Sequence, residues 1–394
     1  MKILVLTTLF PNAALPHHGV FVENRLRAYL EKYSADVRVV APAPWFPSRH
    51  ERFGRYSAWA RTPRSETRNG LPIDHPRYLL PPKIGMNYVP HSLEKCFLRA
   101  IEDVCSDGWD FDLIDAHYLY PDGVAAAAVA KRLGKPIILT GRGTDINLIP
   151  EYEKPRARIL GAVSQAHAVI TVAEALREKL INLGAAAEKI TTLRNGVDLS
   201  VFHPIDQTEA RAQLGLPSGD VIACVGHLTE RKGHHHVIDA LAQLSGATLI
   251  IAGDGEERRS LEARAAAKGV GERVRFLGSV PHDKLADVYS AATVFALASS
   301  REGWPNVLLE AMACGAPVVA SNVWGAGEIV KTQEAGRLVP YGDVAALAGA
   351  LAATLENPPD RRATRAYAEG FSWEETADGM HEIFRSAIAQ KRAA

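Results

Sequence analysis

Two doubly wound α/β domains in succession are what this sequence predicts, and three observations carry the prediction. The chain has 394 residues, more than one ordinary core accommodates. Short β-rich runs alternate with amphipathic helical stretches from end to end, the pattern of parallel sheets covered on both faces. The alternation breaks once, near VDLSVFHPIDQ (197–207), where turn residues and Pro204 interrupt it.

In the first series KILVLTT (2–8), DVRVVA (36–41), DLIDAHY (112–118), PIILT (136–140), AVITV (168–172) and ITTLR (190–194) read as strands. The second series runs VIACVG (221–226), ATLIIAG (247–253), RVRFLG (273–278), TVFALAS (293–299), PVVAS (317–321) and GRLVP (336–340). Helical stretches fall between them, among them KGHHHVIDALAQL (232–244) and EERRSLEARAAAKG (256–269). The expected domains are 1–200 and 201–371, with the terminal helix of 372–394 crossing back onto the first. One stretch stands outside the alternation: residues 49–83 mix arginines with Tyr56, Trp59 and Tyr78. It reads as a solvated excursion ahead of a membrane-surface or anionic-acceptor patch.

Bulk composition narrows the function. Lys plus Arg and Asp plus Glu both number 45, so the neutral chain is no dedicated nucleic-acid binder, and a polyanionic ligand must be met by a few local cations. Four cysteines, Cys96, Cys105, Cys224 and Cys314, lie far apart without CxxC spacing, which suits a reduced, cytoplasmic protein. MKILVLTTLF is read as a first buried strand and not as a signal peptide, because its apolar run is short and no cleavage site follows. The longest small-apolar run, GVAAAAVA, is too short to span a bilayer.

The chemistry concentrates in REGWPNVLLEAMACGAPVVAS (301–321). Pro305 suits a first helical turn, Leu308, Leu309 and Met312 give an apolar face, and Gly315 stops the helix before a Pro-Val-Val strand. A helix start favours phosphate through its donors and dipole. Glu302 just before it and Glu310 within it can each accept from a pair of hydroxyls, as a sugar or ribose presents. On spacing alone, Glu302 as a helix cap and Glu310 as a surface residue is the commoner reading. A glycosidase acid–base pair is disfavoured, because eight helical residues rise about 12 Å whereas such carboxyls sit about 5 to 10 Å apart.

Residues 302–320 resemble the Glu-x7-Glu signature of the family 4 retaining glycosyltransferases, which have the two-domain GT-B fold. LRNGVDLSVFHP (193–204), VGHLTERKG (225–233), GDGEE (253–257), VRFLGSV (274–280) and FSWEE (371–375) follow the family's order over essentially the whole chain. The resemblance implies two Rossmann-like domains with a cleft between them and metal-independent transfer of a sugar from a nucleotide diphosphate donor to a glycan or lipid-linked glycan. A UDP-sugar is favoured over a GDP-sugar, no cofactor or metal is needed, and the nearest flavour is bacterial surface-polysaccharide, teichuronic-acid-type synthesis. Peripheral contact with the inner face of the membrane is the matching expectation.

By the same resemblance Lys232 meets the donor pyrophosphate, Glu302 the sugar hydroxyls and Glu310 the ribose, with Gly303, Trp304, Pro305, Asn306 and Val307 around them. His227 stands where the family has an arginine, so Arg231 or His227 supplies the second cation. His117 ends a strand and is implied to face the transferred sugar, and Gly19 lies in the loop after the first strand, near the phosphates. GRGTDIN (141–147) resembles a family His-Gly-Thr-Asp stretch, with Arg142 where His is common; Arg142 and Asp145 line the acceptor side or pair only with each other. Asp110-Phe111-Asp112 precedes a strand instead of ending one and is read as structural, and His234-His235-His236 is read as a solvated helical face. Gly253-Asp254-Gly255 lacks a third glycine, which disfavours a nicotinamide oxidoreductase. A catalytically idle nucleotide-sugar or glycan-binding protein on the same fold is the alternative.

Overall fold

The structure, a computed structural model, describes residues 1–81 and 85–393. The chain divides into two compact units, residues 1–194 with 373–394 and residues 195–372. Residues 195–200, assigned from sequence to the first domain, fold with the second. Trp304 Nε1 donates to Asn195 O at 3.0 Å, and Val197 N–H donates to Phe371 O.

The first unit contains β1 (Lys2–Leu6), β2 (Asp36–Val40), β3 (Ala43–Pro44), β4 (Ser65–Arg68), β5 (Leu71–Asp74) and β6 (Arg77–Tyr78). It continues with β7 (Leu113–His117), β8 (Ile137–Gly141), β9 (Ala168–Thr171) and β10 (Ile190–Thr192). Eight of these form one sheet in the order β10-β9-β8-β7-β1-β2-β5-β4, parallel except for β4 against β5. β7 and β8 are buried along their whole length, as strands covered on both faces must be. Every strand expected from the sequence in this unit is present. The excursion of 49–83 is corrected: β4 and β5 extend the sheet edge, with Leu71 and Ile73 buried, and Tyr78 is buried too. Pro82 and Lys83 of that stretch lie outside the described residues.

The terminal helix, Glu374–Ala393, belongs to this unit. Met380, Phe384 and Ala387 recur at helical spacing and enter the core with Ile3, Val5, Leu113, Ile138 and Ile170. Tyr33 stacks on His381 at 3.8 Å between ring centres, and Lys32 pairs with Asp378. Truncating the fully buried Phe384 to alanine should cost about 3 to 5 kcal/mol. Asp110 pairs with Lys135 and Asp112 accepts from the Lys2 amide, so that pair of aspartates anchors the strand start.

The second unit holds β11 (Val221–Val225), β12 (Thr248–Ala252), β13 (Val274–Gly278), β14 (Val294–Leu297), β15 (Val318–Ser321) and β16 (Gly336–Val339). All run parallel in the order β13-β12-β11-β14-β15-β16. Both large sheets reverse direction of winding beside their first strand, between β11 and β14 here and between β1 and β7 in the first unit. In open α/β sheets, ligands bind outside the carboxyl ends of strands at such a switch point. The topology therefore selects two places to look: the loops after β11 and β14, and those after β1 and β7.

Candidate functional site

In the second unit the loop after β11 runs from Gly226 to a 3-10 turn, Glu230–Lys232, and then the helix His234–Leu241. Gly233 joins them in the left-handed region at φ 70°, and a Cβ there would stand 1.9 Å from Ala298 O. Only glycine lets this loop press against the chain leaving β14. That contact brings Lys232 to Glu302. Lys232 Nζ donates to Glu302 Oε1 at 2.7 Å, and Arg231 Nη1 lies 3.5 Å from Oε2. Burial pushes the Glu302 carboxyl up, but Lys232 and Arg231 outweigh it and hold the group below the usual carboxylate range. Glu302 is thus a buried, ionised acceptor gripped by two cations, and it caps no helix.

Arg231 also donates to Arg301 O at 2.9 Å, while His227 is exposed on the same loop. Behind Lys232 lies His234, buried, with Nε2 unpartnered among the described residues. Burial, then Lys232, lowers its pKa to about 4. The ammonium of Lys232 has three N–H bonds, and only one is directed at Glu302, so it can serve a second anion.

The chain after Glu302 turns through Gly303 and Trp304 into the helix Asn306–Ala313. Pro305 sits immediately before the helix instead of in its first turn, and its carbonyl accepts from Leu308 N–H. Trp304 is buried, and Asn306 Oδ1 accepts from Asn195 Nδ2 at 3.2 Å; Val307 is half-buried beside it. Gly315, at φ 81°, follows the helix end as expected. Glu310 is half-buried and accepts from the Tyr289 hydroxyl at 2.7 Å. Burial raises its pKa, against which the Tyr289 hydrogen bond and distant cations act only partly. It is a held acceptor and not a loose surface residue.

The first unit places polar groups where its apolar face runs out. Leu113, Asp115 and His117 alternate along β7, and the register sets His117 beside Thr140 of β8, two residues before Arg142. His117 is buried, with Nε2 3.2 Å from Asp115 Oδ2 and Nδ1 2.8 Å from Arg142 Nη2. A guanidinium can only donate, so Nδ1 accepts, and the ring is neutral with its proton on Nε2. Burial lowers the His117 pKa, with Arg142 acting the same way and Asp115 opposing.

Asp145 does not pair with the Arg142 guanidinium. Its carboxylate accepts the backbone N–H groups of Leu119, Arg142 and Gly143, fixing the loops that leave β7 and β8. Tyr118, next to His117, lies in the left-handed region at φ 77°, a strained setting for a large residue. Gly19 opens the helix Val20–Lys32 at φ 74°; a Cβ there would meet the Leu9 backbone at 2.3 Å, so its own loop requires glycine. Asp122 holds the start of that loop by accepting from the Thr8 amide and hydroxyl. Burial raises the Asp122 pKa to about 7.

The structure therefore gathers Lys232, Arg231, Glu302, Trp304 and Asn306 in one unit and His117, Arg142 and Asp145 in the other. Sequence reasoning did not single out Tyr289, Asp115, Asp122 or Arg25, and it read His234 as part of a solvated helical face, whereas the ring is buried. Asp115 had a signal, a carboxylate alternating with His117 in an otherwise apolar strand; Tyr289 had none, since its hydroxyl partner lies 21 positions away.

Two family models match, glycosyl transferases group 1 over residues 206–371 and glycosyltransferase family 4 over residues 22–201. The teichuronic acid biosynthesis glycosyltransferase TuaC of Bacillus subtilis is 31% identical over 336 residues, 84% of this chain and 83% of that protein. D-inositol 3-phosphate glycosyltransferase 1 of Catenulispora acidiphila is 34% identical over 71% of this chain and 73% of its own. Among solved structures, the sucrose-phosphate synthase of Thermosynechococcus elongatus superposes with a TM-score of 0.83 at 23% identity, covering 99% of both chains. Anabaena Alr3699/HepE in complex with UDP gives 0.75 at 23%, covering 98% of this chain and 100% of that one. These likenesses show the fold, GT-B.

Proposed function

This chain belongs to the group 1 and family 4 glycosyltransferases, and from that premise we propose that it transfers a sugar from a UDP-sugar to a glycan or lipid-linked glycan hydroxyl, retaining the anomeric configuration and using no metal ion. The observation that carries the reading is Glu302 held ionised by Lys232 at 2.7 Å at the switch point of the second sheet. In this reading Lys232 lends its remaining N–H bonds to the diphosphate, Glu302 orders the sugar hydroxyls, and Glu310 takes the ribose diol. Gly303 to Val307 line the donor, and His227 and Arg231 add donors at its edge. By the family resemblance His117 and the Gly19 loop serve the transferred sugar, with Arg142 and Asp145 on the acceptor side.

Support for UDP comes from Alr3699/HepE, solved with UDP and with UDP-glucose, and support for a surface polysaccharide from TuaC. Retention without a covalent intermediate fits a Glu302 whose two oxygens are both engaged by cations, a poor nucleophile. The acceptor oxygen then bonds to C1 on the face from which the diphosphate oxygen leaves, and that oxygen takes the acceptor proton. Stabilising the departing diphosphate is the work left to Lys232 and Arg231. NMR of the product formed from an α-linked UDP-sugar in the presence of EDTA tests this. An α product supports the reading; a β product, or loss of activity to EDTA, overturns it.

The same reading places the enzyme at the cytoplasmic face of the membrane. No described helix is long and apolar enough to cross one. Among the described residues, six of nine exposed large apolar side chains fall within 45–88: Trp45, Tyr56, Leu79, Leu80, Met86 and Tyr88. Arg49, Arg52, Arg61 and Arg64 are exposed in the same stretch. Vesicles with anionic lipid should co-sediment the protein at low salt, less so after Trp45→Ser with Leu79→Ser; equal recovery with neutral vesicles would count against the contact.

A further inference from the structure

Arg142 is more than nine-tenths buried, yet the single N–H of Nε and both N–H bonds of Nη1 have no partner among the described residues. Only Nη2 is accounted for, on His117 Nδ1 at 2.8 Å. An unpaired buried donor on a charged group is among the costlier arrangements a fold can hold. Around it Asp115 Oδ1 and Thr140 Oγ1 are unpartnered as well, and the half-buried Phe21 ring lies 5.3 Å from the guanidinium carbon.

The neighbouring carboxylates leave these donors open. Asp145 spends its oxygens on three backbone N–H groups, and Asp115 Oδ2 faces His117, although both carboxylates act on the Arg142 charge through space. A sugar hydroxyl offers one oxygen to N–H bonds that leave from both Nε and Nη1. A carboxylate or phosphate oxyanion offers two side by side, and the planar guanidinium fork suits it.

We propose that Arg142, oriented by His117, binds a substrate oxyanion, so that the enzyme selects a substrate bearing a carboxylate or phosphate group next to the reacting sugar. The group belongs either to the donor's sugar, as in a uronate, or to the acceptor. This deepens the glycosyltransferase reading and rests on it.

Calorimetry on the full chain distinguishes the sources. The donor arm compares UDP-glucuronate with UDP-glucose. The acceptor arm compares D-inositol 3-phosphate with inositol, with and without UDP. One anionic member should bind about tenfold or more tighter than its neutral counterpart. Arg142→Met should abolish that preference and Arg142→Lys keep part of it, while affinity for UDP alone stays unchanged. Equal binding within both pairs, or a preference that survives in Arg142→Met, overturns the proposal. The wild-type comparison decides even if a variant fails to fold. Absence of UDP binding would instead sink the donor reading, and the acceptor arm without UDP still judges Arg142.

Discussion

The two buried charge clusters of this molecule solve the same problem differently. In the second unit the two carboxylates are answered by side chains: Glu302 accepts from Lys232 and faces Arg231, and Glu310 accepts from Tyr289. In the first unit the carboxylates are engaged by His117 and by backbone amides, while the Arg142 guanidinium keeps most of its N–H bonds unpaired among the described residues. A paired cluster is a piece of structure that a ligand can borrow. An underpaired cluster is incomplete, and its surplus donors describe the group that completes it.

The sharpest way to break the comparison is at Glu302. Glu302→Gln removes the charge that balances Lys232 and Arg231, and transfer should fall by about two to three orders of magnitude with the fold intact. Near-normal turnover would end the donor-site assignment.

Stability should separate the clusters next. Lys232→Met leaves Glu302 buried with Arg231, at 3.5 Å, as its one remaining close cation among the described residues and should cost about 3 kcal/mol in denaturant melts. Arg142→Met removes a guanidinium whose one side-chain hydrogen bond among the described residues is to His117, and it should cost less than about 1 kcal/mol, because little pairing is lost. Equal costs would mean that the first cluster is as fully satisfied as the second.

A pH titration of stability sharpens the picture further. His234 in the folded protein has its pKa lowered to about 4, so below pH about 6.5 the unfolded chain takes up a proton that the folded one refuses. The His234 contribution to stability should therefore fall between pH about 6.5 and 4, by about 3 kcal/mol, and level off below. Asp122 works the other way. Its folded pKa of about 7 means a contribution fully present below pH about 4 and lost as pH rises through 7. Over pH about 4 to 6.5 the two contributions oppose and largely cancel, so His234→Gln should make stability rise as pH falls through that window; an unaltered profile would contradict the burial of a neutral ring.

Much of this was legible in the residues. The apolar runs marked all the central strands, because strands covered on both faces must be apolar throughout. The edge strand β4 and its neighbour β5 escaped notice because SETR and LPID, exposed at alternate residues, carry no such run. Glu302, Lys232 and Glu310 were visible as motif residues, but their partners were not. Tyr289 lies inside an apolar helix and meets Glu310 only through folding. Arg142 showed as a departure from the family pattern, yet that its side chain turns to His117 while its amide serves Asp145 is a matter of loop geometry. Sequence spacing carries no information on that choice.

The central claim is that the second unit holds the nucleotide, with Glu310 on the ribose. Calorimetry with UDP, GDP and ADP against wild type and Glu310→Ala tests it most directly. The account predicts that UDP binds in preference to the other two and that the substitution weakens it by about tenfold or more. UDP affinity unchanged by Glu310→Ala, or no binding of UDP at all, would contradict it.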